Sequence, residues 1–304
     1  MARVLVTRRL VGDALDRLCA AHEVEVWPEA MPPSPEVLRE RLADADGLLC
    51  LLTERVDAAL LDAAPRLKVV ANYAVGTDNV DLDACGERGI AVGRTPDVLT
   101  DATADLTWAL ILATARRIPE AAAAVRAGEW RTFEAARWLG VGLAGRTLGV
   151  IGYGRIGRAV ARRAEGFGME VLPARRDDDP LAVIARSDVI TLHAPLTDET
   201  RGLVGHEALA RVKPGALLVN TSRGGLVDPE ALAAALRDGR LAGAALDVTD
   251  PEPLPADHPL LDAPNLLVVP HIGSATVEAR SAMTERAVAN LEAGLAGEPL
   301  PFPA

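Results

Sequence analysis

Three polar residues, Arg223, Glu252 and His271, stand directly after the apolar runs "GALLVNTS", "GAALDVTDP" and "NLLVVP". If those runs are parallel strands of a doubly wound sheet, all three residues emerge at carboxyl ends of strands, on the edge where such sheets bind ligands. Arginine, glutamate and histidine together suit reduction of a 2-oxo acid. The guanidinium can pair with the carboxylate and polarise the carbonyl oxygen, and the imidazole can protonate that oxygen. Glutamate on the other ring nitrogen would set the tautomer and favour the protonated acid. Each residue also has a plainer reading: Arg223 as a turn cap, Glu252 as a solvated loop carboxylate, His271 as a satisfied core histidine. His22, His193, His206 and His258 show no metal-ligand spacing, and no metal site is expected. Of these, only His193, ending a strand, could line a ligand cleft.

A second constellation lies upstream. "TLGVIGYGRIGRAVARRA" reads as a strand, then Gly152, Gly154 and Gly157 in GxGxxG spacing, then a helix. Such glycines permit a tight turn, close approach of backbone to a pyrophosphate, and close helix–strand packing. The next strand should end at the group that meets the adenosine ribose. Here "MEVLPARRDDD" brings Arg175 and Arg176 before Asp177, and spacing alone does not choose among them. The chemistry separates the options. An acid accepts from ribose hydroxyls and repels a 2′-phosphate, whereas arginine offers that phosphate a fork of donors. With the strand ending at Ala174, Arg175 stands at the tip, which predicts NADP(H) as preferred cofactor with NAD(H) possible.

These groups need a scaffold, and the chain has the length for it. Its 304 residues suggest two domains, and 49% hydrophobic with 25% charged residues is a soluble globular composition. A net charge of −11 argues against nucleic acid and anionic lipid as partners. Cys19, Cys50 and Cys85 form no CxxC and read as three buried small apolar residues in a reducing, cytoplasmic setting. No apolar run is long enough for a membrane span. In the first hundred residues, "RVLVT", "EVEVW", "GLLCLL", "LKVVANYA" and "IAVG" read as strands between helical segments. The stretch "LTDATADLTWALILATARRIPEAAAAVRAG" reads as one long helix and is followed by an irregular Trp-containing segment. From Arg146 a second strand–helix alternation begins, and "VEARSAMTERAVANLEAGLAG" closes the chain as a helix stopped near Gly297. The fold class is therefore α/β, with parallel sheets covered by helices.

The segments "NYAVGTDNVD", "GRTPDVLTDATADLTWALILATAR", "GVIGYGRIGRAVARRA", "VNTSRGGLVDPEAL", "AGAALDV" and "PHIGSAT" resemble the signatures of the D-2-hydroxyacid dehydrogenase family. They are most similar to its glyoxylate/hydroxypyruvate reductase branch, over about Leu48 to Thr276. The resemblance implies two Rossmann-like doubly wound domains with an interdomain cleft. Residues 1–98 and 277–304 would form a discontinuous, flavodoxin-like substrate domain, and residues 99–276 the dinucleotide-binding domain. It also implies hydride transfer from a nicotinamide cofactor, with Arg223, Glu252 and His271 at the catalytic positions. Backbone N–H groups of Val75 and Gly76 would hold the substrate carboxylate. Leu52 and Trp138 would be pocket residues, the tryptophan contributed by the partner subunit of a homodimer. Arg155 and Ile156 fall in the pyrophosphate loop, Pro195 by the adenine side, and Thr221 and Asp247 among the cofactor contacts. Arg94, Ser222 and Thr249 depart from the family's usual asparagine, alanine and aromatic. Two alternatives stay open: a dehydrogenase of another small acid, such as phosphoglycerate or phosphite, and a dinucleotide-sensing protein like the corepressors of this fold.

Overall fold

Short apolar runs become strands here because both of their faces are covered, so no in–out alternation is required. The computed structural model describes residues 1–304 and separates into two compact units, residues 1–99 with 275–304, and residues 100–274. In the first unit β1 (Arg3–Val6), α1 (Ala14–Ala21), β2 (Glu23–Val26), α2 (Pro35–Leu42), β3 (Gly47–Cys50), α3 (Ala58–Asp62), β4 (Val69–Asn72), α4 (Leu82–Glu87) and β5 (Ala91–Gly93) alternate. The strands pair in parallel in the order β2-β1-β3-β4-β5. Ser34, Asp57 and Asp81 cap α2, α3 and α4 by accepting from main-chain N–H groups three residues on. Leu18, Leu42, Leu48, Leu49 and Leu61 are fully buried in this unit, each worth roughly 1.5–3 kcal/mol of apolar transfer.

The second unit runs α5 (Thr100–Ala115), α6 (Ile118–Arg126), β6 (Thr147–Ile151), α7 (Arg155–Ala164), β7 (Glu170–Ala174), α8 (Pro180–Arg186), β8 (Val189–Leu192), α9 (His206–Arg211), β9 (Ala216–Asn220), α10 (Pro229–Arg237), β10 (Leu241–Leu246) and β11 (Leu266–Val268). Its sheet is also parallel, ordered β11-β10-β9-β8-β6-β7, with an apolar cluster on each face. The last helix, α11 (Val277–Ala296), belongs to the first unit, where it packs on β3, β4 and α1 and ends at Gly297 in the left-handed region. No helix is long and apolar enough to cross a membrane.

Two local expectations are corrected and one helix is added. The stretch read as one helix over residues 99–128 is two, because Arg117 takes a left-handed conformation and Pro119, lacking an N–H, opens the second. Cys50 and Cys85 are buried, but Cys19 is exposed. On α1 the buried face is carried by Ala14, Leu15 and Leu18, and one further residue turns the side chain about 100° away. Helix α4 has no counterpart in the sequence reading, since six residues are too few to display a period.

Candidate active site

In the second unit the strand register levels one edge. Ile151 pairs with Ala174 and Leu192, Leu192 with Asn220, Asn220 with Leu246, and Leu246 with Val268. The chain therefore leaves β6, β7, β8, β9, β10 and β11 at one height. Gly152, Arg175, His193, Thr221, Asp247 and Val269 all lie within a residue of that edge. Strand order reverses between β6 and β8, which is where doubly wound sheets seat a nucleotide.

The glycine turn fits such a ligand on geometric grounds. Gly152 has φ +93°, and a Cβ there would come within 2.4 Å of Ala194 N. At Gly157 a Cβ would stand 2.2 Å from Gly152 O, so only glycine lets α7 approach the turn. Gly154 is different: a Cβ there meets nothing within 4 Å, leaving open space over the main chain at the start of α7. No side chain caps that helix, and a helix start without a side-chain cap favours an anion. Arg155 and Ile156 form its first turn, with Ile156 packed on the core beneath.

Beyond β7 the polar run sorts itself. Arg175 N–H donates to Asp178 Oδ2 at 2.8 Å, and Asp178 N–H returns a bond to Arg175 O, closing a tight turn. Asp179 is committed to capping α8 through Leu181 N. One aspartate thus holds the turn and a second caps α8, while Arg175 stands first after the strand with its guanidinium 5.8 Å from the Tyr153 ring centre. Arg176 lies next in the exposed turn, and its charge is felt by Glu199, whose carboxyl is held below its ordinary value chiefly by the Thr197 side chain. Pro195 sits on the loop after β8, its carbonyl accepting from Thr200 Oγ1 at 2.7 Å. His193 is neutral: burial pushes it down to about 3, and its Nε2 bonds Thr191 Oγ1 at 3.0 Å.

Glu252 and His271, separated in sequence, meet. Glu252 Oε1 lies 2.6 Å from His271 Nδ1, with the two side chains 40% and 30% exposed. Burial would raise the Glu252 carboxyl, but the hydrogen bond and charge of His271, the Thr249 N–H and the Arg223 charge outweigh it and hold the group below its ordinary value. His271 itself has φ +50°, a conformation that costs a bulky residue about 1–3 kcal/mol. Asp247 holds it there. Its main-chain carbonyl accepts from His271 N–H at 2.9 Å, and its carboxylate accepts from Ile272 N–H at 2.6 Å and Gly273 N–H at 2.8 Å. Asp247 is 2% exposed, and burial raises its carboxyl against those two N–H bonds. Asp247, expected among the cofactor contacts, also carries this loop-holding task. Nothing in residue spacing signals it.

The loop carrying Arg223 is braced by Asn220, whose side chain accepts from Ser222 N–H and donates to Arg223 O. Arg223 Nη1 donates to Ser222 O at 2.8 Å, and the Ser222 hydroxyl donates to Ala194 O at 2.6 Å. Thr249 donates from its hydroxyl to Pro251 O and from its N–H to Glu252 Oε2. Both departures from the family pattern therefore bind the site's own loops. Arg94, the third, turns to the chain's end and donates to Pro303 O. Thr221, 8% exposed, shares a 2.9 Å hydroxyl contact with Thr107. Trp138, at φ +58°, lies under the guanidinium groups of Arg117 and Arg137, 5.8 and 4.6 Å from its ring centre. No group of three His, Cys, Asp or Glu is placed to hold a metal.

Leu52, Val75 and Gly76 belong to the first unit, on the loops after β3 and β4, whose ends are level through the Cys50–Asn72 pairing. In the second of these loops Tyr73, Ala74 and Val80 N–H donate to Cys50, Asn72 and Thr77 carbonyls; those of Val75 and Gly76 are not among the main-chain donors.

A family model described as the NAD-binding domain of D-isomer-specific 2-hydroxyacid dehydrogenase matches residues 108–273. The chain is 46% identical over 310 residues to a glyoxylate reductase of Korarchaeum cryptofilum, covering 97% of this chain and 93% of the relative. It is 45% identical over 313 residues to one of Thermococcus litoralis, covering 97% and 94%. Among solved structures, the TT0316 protein of Thermus thermophilus matches with a TM-score of 0.94 at 50% identity over 99% of both chains. An NADPH-dependent glyoxylate/hydroxypyruvate reductase of Sinorhizobium meliloti, in complex with NADP and malonate, matches at 0.87 and 34% over 100% of this chain and 96% of that one. With a Rossmann-type cradle fitted to a nicotinamide dinucleotide and relatives alike over almost its whole length, the chain belongs to the D-isomer-specific 2-hydroxyacid dehydrogenase family, in its glyoxylate reductase branch.

Proposed function

We propose that the protein reduces glyoxylate, and the related hydroxypyruvate, to the 2-hydroxy acid, with NADPH as preferred donor. The observation that carries the chemistry is the 2.6 Å Glu252–His271 contact at the edge where the glycine cradle also opens. A bound nicotinamide dinucleotide supplies the hydride. His271, oriented through Nδ1 by Glu252, gives the proton on Nε2 to the carbonyl oxygen and takes it back in the reverse direction. Arg223 pairs with the substrate carboxylate and polarises the carbonyl. Val75 and Gly76 N–H groups receive the carboxylate, and Leu52 supplies apolar wall. Gly152, Gly154, Arg155, Ile156 and Gly157 take the pyrophosphate, Pro195 and Thr221 line the remaining cofactor path, and Asp247 holds the His271 loop. Arg175 and Arg176 receive the 2′-phosphate, a role supported by the turn that Asp178 closes behind them while Asp179 is engaged in capping α8.

In this reading residues 1–98 with 277–304 serve the substrate and residues 99–276 the dinucleotide. The active form is a homodimer, supported by Trp130, Phe133 and Leu139, which are 74%, 88% and 68% exposed around Trp138 in the segment between α6 and β6. Trp138 then reaches the partner's substrate. The test is turnover of glyoxylate and hydroxypyruvate with NADPH and NADH, followed by loss of reduced nicotinamide. Binding of cofactor with no turnover of any 2-oxo acid would overturn the enzymatic reading in favour of a dinucleotide sensor.

A further inference from the structure

An amide pair, Asn72 buried and Asn79 half-buried, lies beneath the two loops of the first unit that carry Leu52, Val75 and Gly76. Asn72 is fully buried at the end of β4, and its Nδ2 donates to Asn79 Oδ1 at 3.0 Å while Asn79 Nδ2 donates back to Asn72 Oδ1 at 3.2 Å. Cys50 Sγ also donates to Asn72 Oδ1 at 3.6 Å, and the other contacts reach main chain. Asn72 Nδ2 donates to Gly76 O at 2.9 Å, and Asn79 Nδ2 reaches Leu51 O and Glu54 O, each at 3.0 Å. Glu54, 3% exposed, tightens the same loop by accepting from Leu51 N–H at 2.7 Å and from the hydroxyls of Thr7 and Thr53 at 2.5 Å, beside Arg8 at 3.3 Å. Two carboxamides thus couple the loop after β3 to the loop after β4. The pinned carbonyl is that of Gly76, the turn residue with the widest backbone freedom.

We infer that Asn72 and Asn79 are positioning residues for substrate recognition: they hold Gly76 so that the Val75 and Gly76 N–H groups converge on a carboxylate at a set distance from Leu52. The inference rests on the proposed role of those two N–H groups. Two hydrogen bonds to one carboxylate tolerate little misdirection, so releasing the Gly76 carbonyl weakens substrate binding while the second unit's acid and cofactor groups are unchanged. Asn79→Ser and Asn72→Ser test it in the full-length enzyme. Each should raise KM for glyoxylate about 10-fold or more, with kcat within about 3-fold and KM for NADPH unaltered. The double variant should be little worse than Asn72→Ser alone, because Asn72 makes the pair's direct contact to Gly76 O. If Asn79→Ser does not fold, Asn72→Ser, which leaves the Leu51 and Glu54 contacts in place, carries the test through Gly76. Folded variants with wild-type glyoxylate KM would overturn the inference, as would losses spread equally over kcat and both KM values. Absence of turnover in the wild type would instead sink the proposed activity, so the two failures are distinguishable.

Discussion

Replacing Glu252 by glutamine keeps an oxygen that can accept from His271 Nδ1 but removes the negative charge 2.6 Å away. At that separation a full ion pair is worth about 2–6 kcal/mol for effective dielectrics between water and a protein surface. The side chains are 30% and 40% exposed, so screening pulls the value to the low end, and a net of about 1.5–2 kcal/mol is reasonable. A tenfold change in rate corresponds to about 1.4 kcal/mol. Hence Glu252→Gln should lower kcat/KM for glyoxylate reduction by about 10- to 30-fold, through loss of the charge that orients and supports the imidazole. The sign for Glu252 itself is separate: its carboxyl lies below its ordinary 4.5, so its support is complete above that pH and lost only as pH falls through the lowered value. The assay is steady-state kinetics with saturating cofactor. Wild-type kcat/KM in a folded Glu252→Gln would refute the reasoning.

Three further outcomes follow from the same geometry. Gly154→Ala, at a position with open space, should leave Tm unchanged within a degree or two while raising the cofactor KM, whereas Gly152→Ala, which drives a Cβ to 2.4 Å from Ala194 N at φ +93°, should yield little folded protein; thermal melts and cofactor titration decide. Arg175→Ala should lower the NADPH-to-NADH ratio of kcat/KM by about 10-fold, the low end for an exposed charge-assisted contact, and an unchanged ratio would remove Arg175 from 2′-phosphate recognition. Arg223→Lys exchanges a planar fork for a point charge and should cost about 100-fold in kcat/KM for glyoxylate; wild-type kinetics would show that Arg223 does not engage the substrate.

Much of the scaffold was legible because its signals are local. A strand buried on both faces, such as Ala216–Asn220, announces itself as an unbroken apolar run, and the cradle glycines carry their steric requirement in their spacing. The break at Arg117 was hidden because the apolar helical pattern continues across it and only Pro119 marks the second helix. Glu252 had an equally plausible life as a solvated carboxylate in an acidic loop. What placed it on His271 was the level register of β9, β10 and β11, a property of the sheet and not of the loop.

By itself, then, the order of residues determined the α/β class, the nucleotide turn and the identity of the polar groups at strand ends, since each depends on neighbours a few positions apart. Only the tertiary structure decided which oxygens those groups face. Asp247 under the His271 loop, Asn79 against Leu51 and Glu54, and Asp178 behind Arg175 are matters of hydrogen-bond direction. A hydrogen bond is satisfied or lost within tenths of an ångström, and that precision arises when packed strands and helices fix the distances between segments remote in sequence.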